Sequence, residues 1–484
     1  MLLRKAYFLL AILFLYACSK TELIYPEEPG KVTEDLNPES FQVTIAEITS
    51  ASALIKWTEA LDPEYEDIVY SVQLDGKDVA NHLKTRNFRL EGLKAETTYK
   101  GLIVAKDPKG NTTSIKFEFT TDDDYIKFTR TYYVENPGSM SGNSIHLTAD
   151  GGYIVAGNVA LLRWNILLIK FNKNGDREWY KTYDFGPGGT KLLPLPDGYI
   201  ISSASTIYRL DSKGTIVWKT VIDLSSERGS GELSGITLTK DNHIVAVGKY
   251  VEDFPIPIKP ETKLHLASVV KLSLDGAIIW HRQFGEKVRN EANDVLEDAS
   301  GNLYIYGSHE TGPQLAEMYL SKITRDGTLM WSKTYTGTAY GFAKRIRFSK
   351  DNHLFLLGFA SSGVRYTINL LKTDLEGNLI KRVTPKFGSS ETVNDMDVTT
   401  DGGIIVCGQL EGSYNSSLAL FRFDSELNLL WKKDYKLEQY GNFGSVLQTT
   451  DQGFIATGVI YTPSPYAPPA TFVLIKTNPK GDVK

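Results

Sequence analysis

Beyond the first twenty residues apolar and polar side chains alternate with a period of two, and no stretch sustains the i, i+3, i+4 spacing of an amphipathic helix. The pattern predicts strands throughout. Between about residues 41 and 121, alternating runs at 41–45, 53–57, 69–72 and 99–104 are separated by turn residues such as Asp75-Gly76 and Lys109-Gly110. That spacing predicts a sandwich of two small sheets. After Asp122 the pattern becomes repetitive. One unit reads Asp-Gly-Gly-Tyr-Ile-Val-Ala-Gly, a variable loop, Leu-Ile-Lys-Phe-Asn-x-x-Gly and then Trp-x-Lys-x-Tyr, and it recurs seven times at intervals of about 50 residues from the third copy onward. Four strands per unit fit that interval.

Glycines and aromatics recur at set places in the unit. Gly157, Gly248, Gly307, Gly358, Gly408 and Gly458 are expected to end its second strand, with Ser203 standing in for the glycine in the second copy. Gly175, Gly214, Gly276, Gly327, Gly377 and Gly481 mark the turn before the outer strand, with Leu427 in the sixth copy. An aromatic follows four positions later at Trp179, Trp218, Trp280, Trp331 and Trp431, while the fifth copy has Lys381. An isolated four-stranded sheet leaves an apolar face that only its neighbours can cover, so these tryptophans read as packing residues between units. The seventh copy reaches Gly481-Asp-Val-Lys484 without an outer strand. Phe128-Thr-Arg-Thr-Tyr132 matches Trp331-Ser-Lys-Thr-Tyr335 in register and is expected to supply it.

The expected fold is therefore all-β: an N-terminal β-sandwich over 39–122 and, over 123–484, a seven-bladed β-propeller closed by an N-terminal strand. Trp57 in the second strand, Tyr70 in the third, Leu93 six residues before Tyr99, and Thr120-Thr121 resemble a fibronectin type III domain. The resemblance implies a corner in which the Tyr99 hydroxyl bonds to the chain upstream. The repeats resemble propellers common in secreted and surface proteins of Bacteroidetes-type bacteria, and more distantly those of quinoprotein dehydrogenases. They cover about three quarters of the chain and imply fold rather than activity, since propellers host many functions.

The N-terminus adds an address. Arg4 and Lys5 precede an apolar run at 6–16 that is too short for a membrane-spanning helix, so 1–17 read as a secretion signal. Leu15-Tyr16-Ala17-Cys18 resembles the bacterial lipobox, which implies an acylated Cys18 as the first mature residue. Ser19 in place of Asp then implies sorting to the outer membrane, facing the periplasm or the exterior. The other reading is an ordinary signal peptide with an incidental cysteine. Residues 18–38, broken by Pro26, Pro29 and Gly30, form a tether. Cys407, inside Ile404-Ile405-Val406-Cys407, reads as a buried small hydrophobe and not a disulfide partner. Lys and Arg number 53 against 58 Asp and Glu, leaving no cationic footprint for nucleic acid.

No catalytic, metal or cofactor site is assigned. The seven histidines are not paired at metal-ligand spacing, and His243 and His353 occupy equivalent Asp-Asn-His turns. The Asp150-Gly-Gly152 and Asp401-Gly-Gly403 turns join strand to strand and are not phosphate cradles. Candidate ligand residues come from the geometry of a ring. Asn143-Ser-Ile145, Asn293-Asp294-Val295 and Asn394-Asp395-Met396 enter inner strands of three blades and are expected round one mouth of the channel, where they either meet a ligand or cap strands and hold water. Trp164, Tyr461 and Tyr466 sit in loops of the same face and suit stacking or loop packing. The expectation is a non-enzymatic, lipid-anchored surface protein whose propeller binds a glycan or a protein partner. The alternatives are a propeller enzyme acting on glycans, as lyase or hydrolase, and a structural part of a membrane assembly.

Overall fold

The computed structural model describes residues 36–483 except 64–66, 135–137, 161–162, 184–189, 227–228, 253–263, 286–288, 313–314, 338–339, 362–364, 411–415, 438–439 and 462–469. It divides into two compact units, Met1–Asp124 and Tyr125–Lys484. In the first, Val43–Ala46, Ser52–Trp57 and Asn87–Glu91 form one antiparallel sheet, and Lys77–Leu83, Val69–Leu74, Thr98–Lys106 and Thr112–Thr120 form another. Their inner faces bury Phe41, Ile55, Trp57, Tyr70, Ile103 and Phe117. The Lys94 amide donates to the Tyr99 hydroxyl at 2.8 Å. Lys77–Leu83, absent from the expected runs, is exposed over most of its length, so it carries little apolar alternation to detect.

Among the described residues the second unit is a β-propeller of seven four-stranded antiparallel sheets, with a bridge between Ala316 and Tyr340 linking the fourth to the fifth and a two-stranded ribbon pairing Ser225–Ser226 with Gly229–Ser230. The innermost strands are Met140–Leu147, Lys191–Leu195, Glu232–Leu238, Asn290–Glu297, Tyr340–Phe348, Glu391–Val398 and Tyr440–Gln448. The seventh sheet takes its outer strand from Phe128–Tyr132, which pairs antiparallel with Thr471–Thr477 so that Phe472 faces Tyr132 and Lys476 faces Phe128.

The recurring tryptophans pack as expected, and the contact explains the turn glycines. Each turn glycine has positive φ, from Gly214 at 74° to Gly276 at 89°. A β-carbon on Gly276, Gly377 or Gly481 would lie 2.9 to 3.0 Å from the ring of Trp218, Trp331 or Trp431 in the preceding blade. Glycine supplies both the left-handed backbone and the flat surface on which the indole rests. Phe128 takes the same place against Gly175 of the first blade, 2.7 Å from where that β-carbon would stand. The exception is consistent with this. Where the fifth blade has Lys381, the next turn carries Leu427 at φ 59°, buried, and the Lys381 amine instead donates to the Glu426 carbonyl and, at 3.2 Å, to Asn428. With no indole to accommodate, a side chain fits.

The other glycine series corrects the expectation. Gly157, Gly248, Gly307, Gly358, Gly408 and Gly458 lie within their strands, each beside a β-bulge in the inner strand. The bulge presses an inner-strand carbonyl onto the glycine: a β-carbon on Gly408 would overlap the Thr392 carbonyl oxygen, and one on Gly307 that of Glu291. The second blade, where Ser203 replaces the glycine, pairs Lys191–Leu195 with Gly198–Ser203 without a bulge. Gly408→Ala is therefore expected to cost about 3 kcal/mol, by forcing the bulge out or the strands apart. Ser203→Gly, where nothing presses, should cost about 1 kcal/mol. Denaturant unfolding of the two variants measures both, and equal small losses would sink the explanation.

Each blade also has an internal ion pair. A carboxylate in the first hairpin meets a buried cation from the third strand, as in Asp150 with Lys170 at 2.8 Å, Asp351 with Lys372 at 2.8 Å and Asp451 with Lys476 at 2.8 Å. His243 and His353 sit beside the same carboxylates, at 3.0 Å from Asp241 and 3.1 Å from Asp351.

Candidate ligand site at the mouth of the channel

The bulges decide what faces the channel. A bulge leaves one inner-strand residue unpaired and re-aims its side chain. The six bulged residues are Asn143, Ser234, Asn293, Lys344, Asn394 and Gly444. All six line one cavity of about 410 Å³, joined by Lys191 from the bulge-free blade and by Ser141, Glu232, Glu291 and Asn442 two residues upstream of bulges. The three asparagines singled out in the sequence are thus brought together.

Their side chains differ in how far they are committed. The Asn394 amide donates at 2.8 Å to both the Asn442 side chain and the Phe443 carbonyl. Asn143 donates to Asn158 at 2.6 Å. The buried carboxamide oxygen of Asn293 has no hydrogen-bond partner. Lys249 reaches Glu232 at 3.0 Å and Glu291 at 3.7 Å, and His265 also stands 3.7 Å from Glu291. Burial pushes the Lys191 amine down to about 7, helped by the positive charge of Arg345. The Lys344 amine is likewise lowered, by burial and then by Arg345, and lies 5.3 Å from the centre of the Phe359 ring.

One residue deeper, the polar positions of the same motifs hold neighbouring blades together. Asp294 accepts the Ile346 amide at 3.1 Å, Asp395 accepts the Ser445 hydroxyl at 2.5 Å, Ser445 in turn accepts the Ile145 amide at 3.4 Å, and Ser144 accepts that of Leu192 at 3.3 Å. Both carboxylates are paired. Arg345 meets Asp395 at 2.7 Å, and Arg347 spans Asp294 at 2.9 Å and Asp395 at 3.6 Å. Burial alone would raise the Asp395 carboxyl, but Arg345 and Arg347 outweigh it and hold it below the usual carboxylate range. Below them His146 is pushed down to about 4 by burial and stays neutral at physiological pH. Asp294 and Asp395 thus border a smaller inner space of about 200 Å³ with their oxygens already occupied.

The stacking candidates lie elsewhere. Trp164 opens the strand Trp164–Phe171 opposite Ala160, is 44% exposed, and does not line the cavity. Tyr461 closes the strand Phe454–Tyr461 and stacks on Tyr440 with ring centres 5.3 Å apart, an aromatic partner the sequence did not single out. Tyr466 and Cys18 lie outside the described residues. Cys407 is buried and unpaired in the core beside Phe443 and Phe454, and burial pushes its thiol well up. Among the described residues no group of three His, Cys, Asp or Glu is placed to hold a metal ion.

Lys191, Lys344 and Ser234 were missed because their positions vary in residue type from blade to blade. The signal that finds Ser234 and Lys344 is the facing glycine, which marks the bulge; Lys191, in the bulge-free blade, has no such mark.

No protein-family model matches the chain, and no curated protein matches it. Among solved structures it is similar to a protein of unknown function from Dyadobacter fermentans, at 9% identity over 72% of this chain and 98% of that one, with a TM-score of 0.47. It is also similar to a protein of unknown function from Bacteroides caccae, at 12% identity over 62% of this chain and 96% of that one, with a TM-score of 0.40. A third likeness is to the Neurospora crassa Pan2 WD40 domain, at 11% identity over 70% and 89% with a TM-score of 0.43.

Proposed function

We propose that the chain is a surface lipoprotein of the outer membrane, acylated at Cys18, in which a fibronectin type III-like spacer carries a seven-bladed propeller closed by the strand at 128–132, and that the propeller binds a glycan at its channel mouth without turning it over. One observation carries the binding reading: six bulged inner strands deliver amide, hydroxyl and amine groups to one concave surface of about 410 Å³. A cavity of that size, lined by convergent hydrogen-bonding groups, suits one or two sugar rings. The fibronectin-like reading is supported by the three-plus-four strand arrangement and the Lys94 to Tyr99 bond.

The test is a glycan array probed with the full chain carrying Cys18→Ser, followed by incubation of each ligand and product analysis. Selective binding without product is the expected result. Turnover without selective retention would replace this reading with the enzymatic one. One feature favours that second reading: an amine near 7, as at Lys191, can take a proton at neutral pH, the task of the base in a lyase. Lys191→Gln would then abolish turnover.

A further inference from the structure

From the charges left over at the mouth, we infer that its ligand is a carboxylated sugar, a uronic acid or a related sugar acid, whose carboxylate lies between Lys191 and Lys344 and whose hydroxyl donates to Asn293. The inference rests on the glycan reading above and narrows it.

Five charged side chains line the cavity: Lys191, Glu232, Glu291, Lys344 and Arg345. Three are compensated inside the protein. Glu232 has Lys249 at 3.0 Å, Glu291 has Lys249 and His265 each at 3.7 Å, and Arg345 has Asp395 at 2.7 Å. Among the described residues no carboxylate stands within ion-pair distance of Lys191 or Lys344: Asp395 and Asp294 act on Lys191, and Glu291 on Lys344, only at longer range, and the Phe359 ring lies 5.3 Å from the Lys344 amine. Two half-buried ammonium groups sharing a cavity with Arg345 disfavour one another, so the protein's own groups leave the mouth short of negative charge. An anion entering there offsets the repulsion and, by pairing with both amines, part of the hydration they lose by burial. Asn293 adds a different demand, since its buried carboxamide oxygen is an acceptor without a donor. A simple anion has no hydrogen to give it. A molecule bearing both a carboxylate and hydroxyl groups satisfies all three residues.

Protonation of Lys191 sets a pH signature. The groups around it are Lys344, Arg345 and Arg347 of the fifth blade, Glu291 and Asp294 of the fourth, Asp395 of the sixth, with His146 of the first and Glu232 of the third on the flanking inner strands. The free protein holds Lys191 near 7, and a bound carboxylate raises it, so affinity is greatest below that value and declines as pH rises. The decline is at most about tenfold per pH unit.

Calorimetric titration of the full chain carrying Cys18→Ser tests this with galacturonate, glucuronate and sialic acid, each against its methyl ester, with galactose, glucose and acetate alongside. At least one acid is expected to bind at least tenfold more tightly than its ester. Lys191→Gln and Lys344→Gln should each weaken it at least fivefold, narrow the ratio of acid to ester affinity and keep the thermal midpoint of the free protein. Binding should weaken between pH 6.5 and 8.5. Esters or neutral sugars binding as well as the acids, or insensitivity to both lysine changes, overturns the inference while the glycan reading survives. Acetate binding as well as the sugar acids overturns the assignment of a sugar. Silence across the whole panel overturns both.

Discussion

Alanine at both Phe128 and Tyr132 is expected to lower the thermal midpoint of the propeller by on the order of 5–10 °C, although both residues lie far from the other strands of their sheet in sequence. Phe128 is buried against Tyr153, with ring centres 6.4 Å apart, and covers Gly175 of the first blade. The Tyr132 ring sits 4.7 Å from Phe171 and 5.5 Å from Phe472, and its hydroxyl donates to the Gly175 carbonyl. Truncating a buried aromatic costs about 3–5 kcal/mol. Because the two share one cluster their losses should not add fully, and about 6 kcal/mol together is the expected sum. Tyr133→Ala, at a residue 47% exposed, should leave the midpoint within about 1 °C and serves as the control. Calorimetry decides: a double variant as stable as the parent would mean that Phe128–Tyr132 decorates the seventh sheet without supporting it.

The second large effect concerns Asp395. Removing its charge leaves Arg345 buried beside no carboxylate at ion-pair distance and takes an acceptor from Ser445 and from the Val446 amide. Breaking a buried pair on one side costs about 3–5 kcal/mol, because the abandoned guanidinium keeps its charge while largely shielded from water. Asp395→Ala is expected in that range by denaturant unfolding, and Asp395→Leu with Arg345→Leu should recover most of it. Acid should mimic the single change. The native carboxyl lies below its unfolded value of about 3.9, so its contribution is complete above that pH and is lost as pH falls through the native value. A double variant no better than the single one would show that the two groups are not energetically coupled.

Much of this arrangement was legible in the residues. The register of Phe128-Thr-Arg-Thr-Tyr132 against the Trp-x-x-x-Tyr units rests on apolar spacing, which a strand must keep to bury one face. Asn143, Asn293 and Asn394 were found because they repeat in kind. What was not legible is how deep each neighbour would lie. Asp294 and Asp395 follow their asparagines by one position, yet the bulge turns the asparagine to the cavity and sends the carboxylate inward to Arg345 and Arg347. Nothing in the local sequence announces those arginines as partners, since they come from a different blade. The same limit applied to Trp164, expected in a loop of that face although its strand begins away from the cavity.

The indole resting on the glycine of the following blade bears on how such a ring can be rearranged. A repeat cannot be exchanged as a self-contained cassette, because half of each contact belongs to the next copy. Replacing the fifth repeat with a duplicate of the fourth would drive a tryptophan into Leu427, whereas moving Lys381 and Leu427 as a pair would not. The portable module therefore runs from the middle of one blade to the middle of the next, and recombination or engineering of this chain should respect that frame.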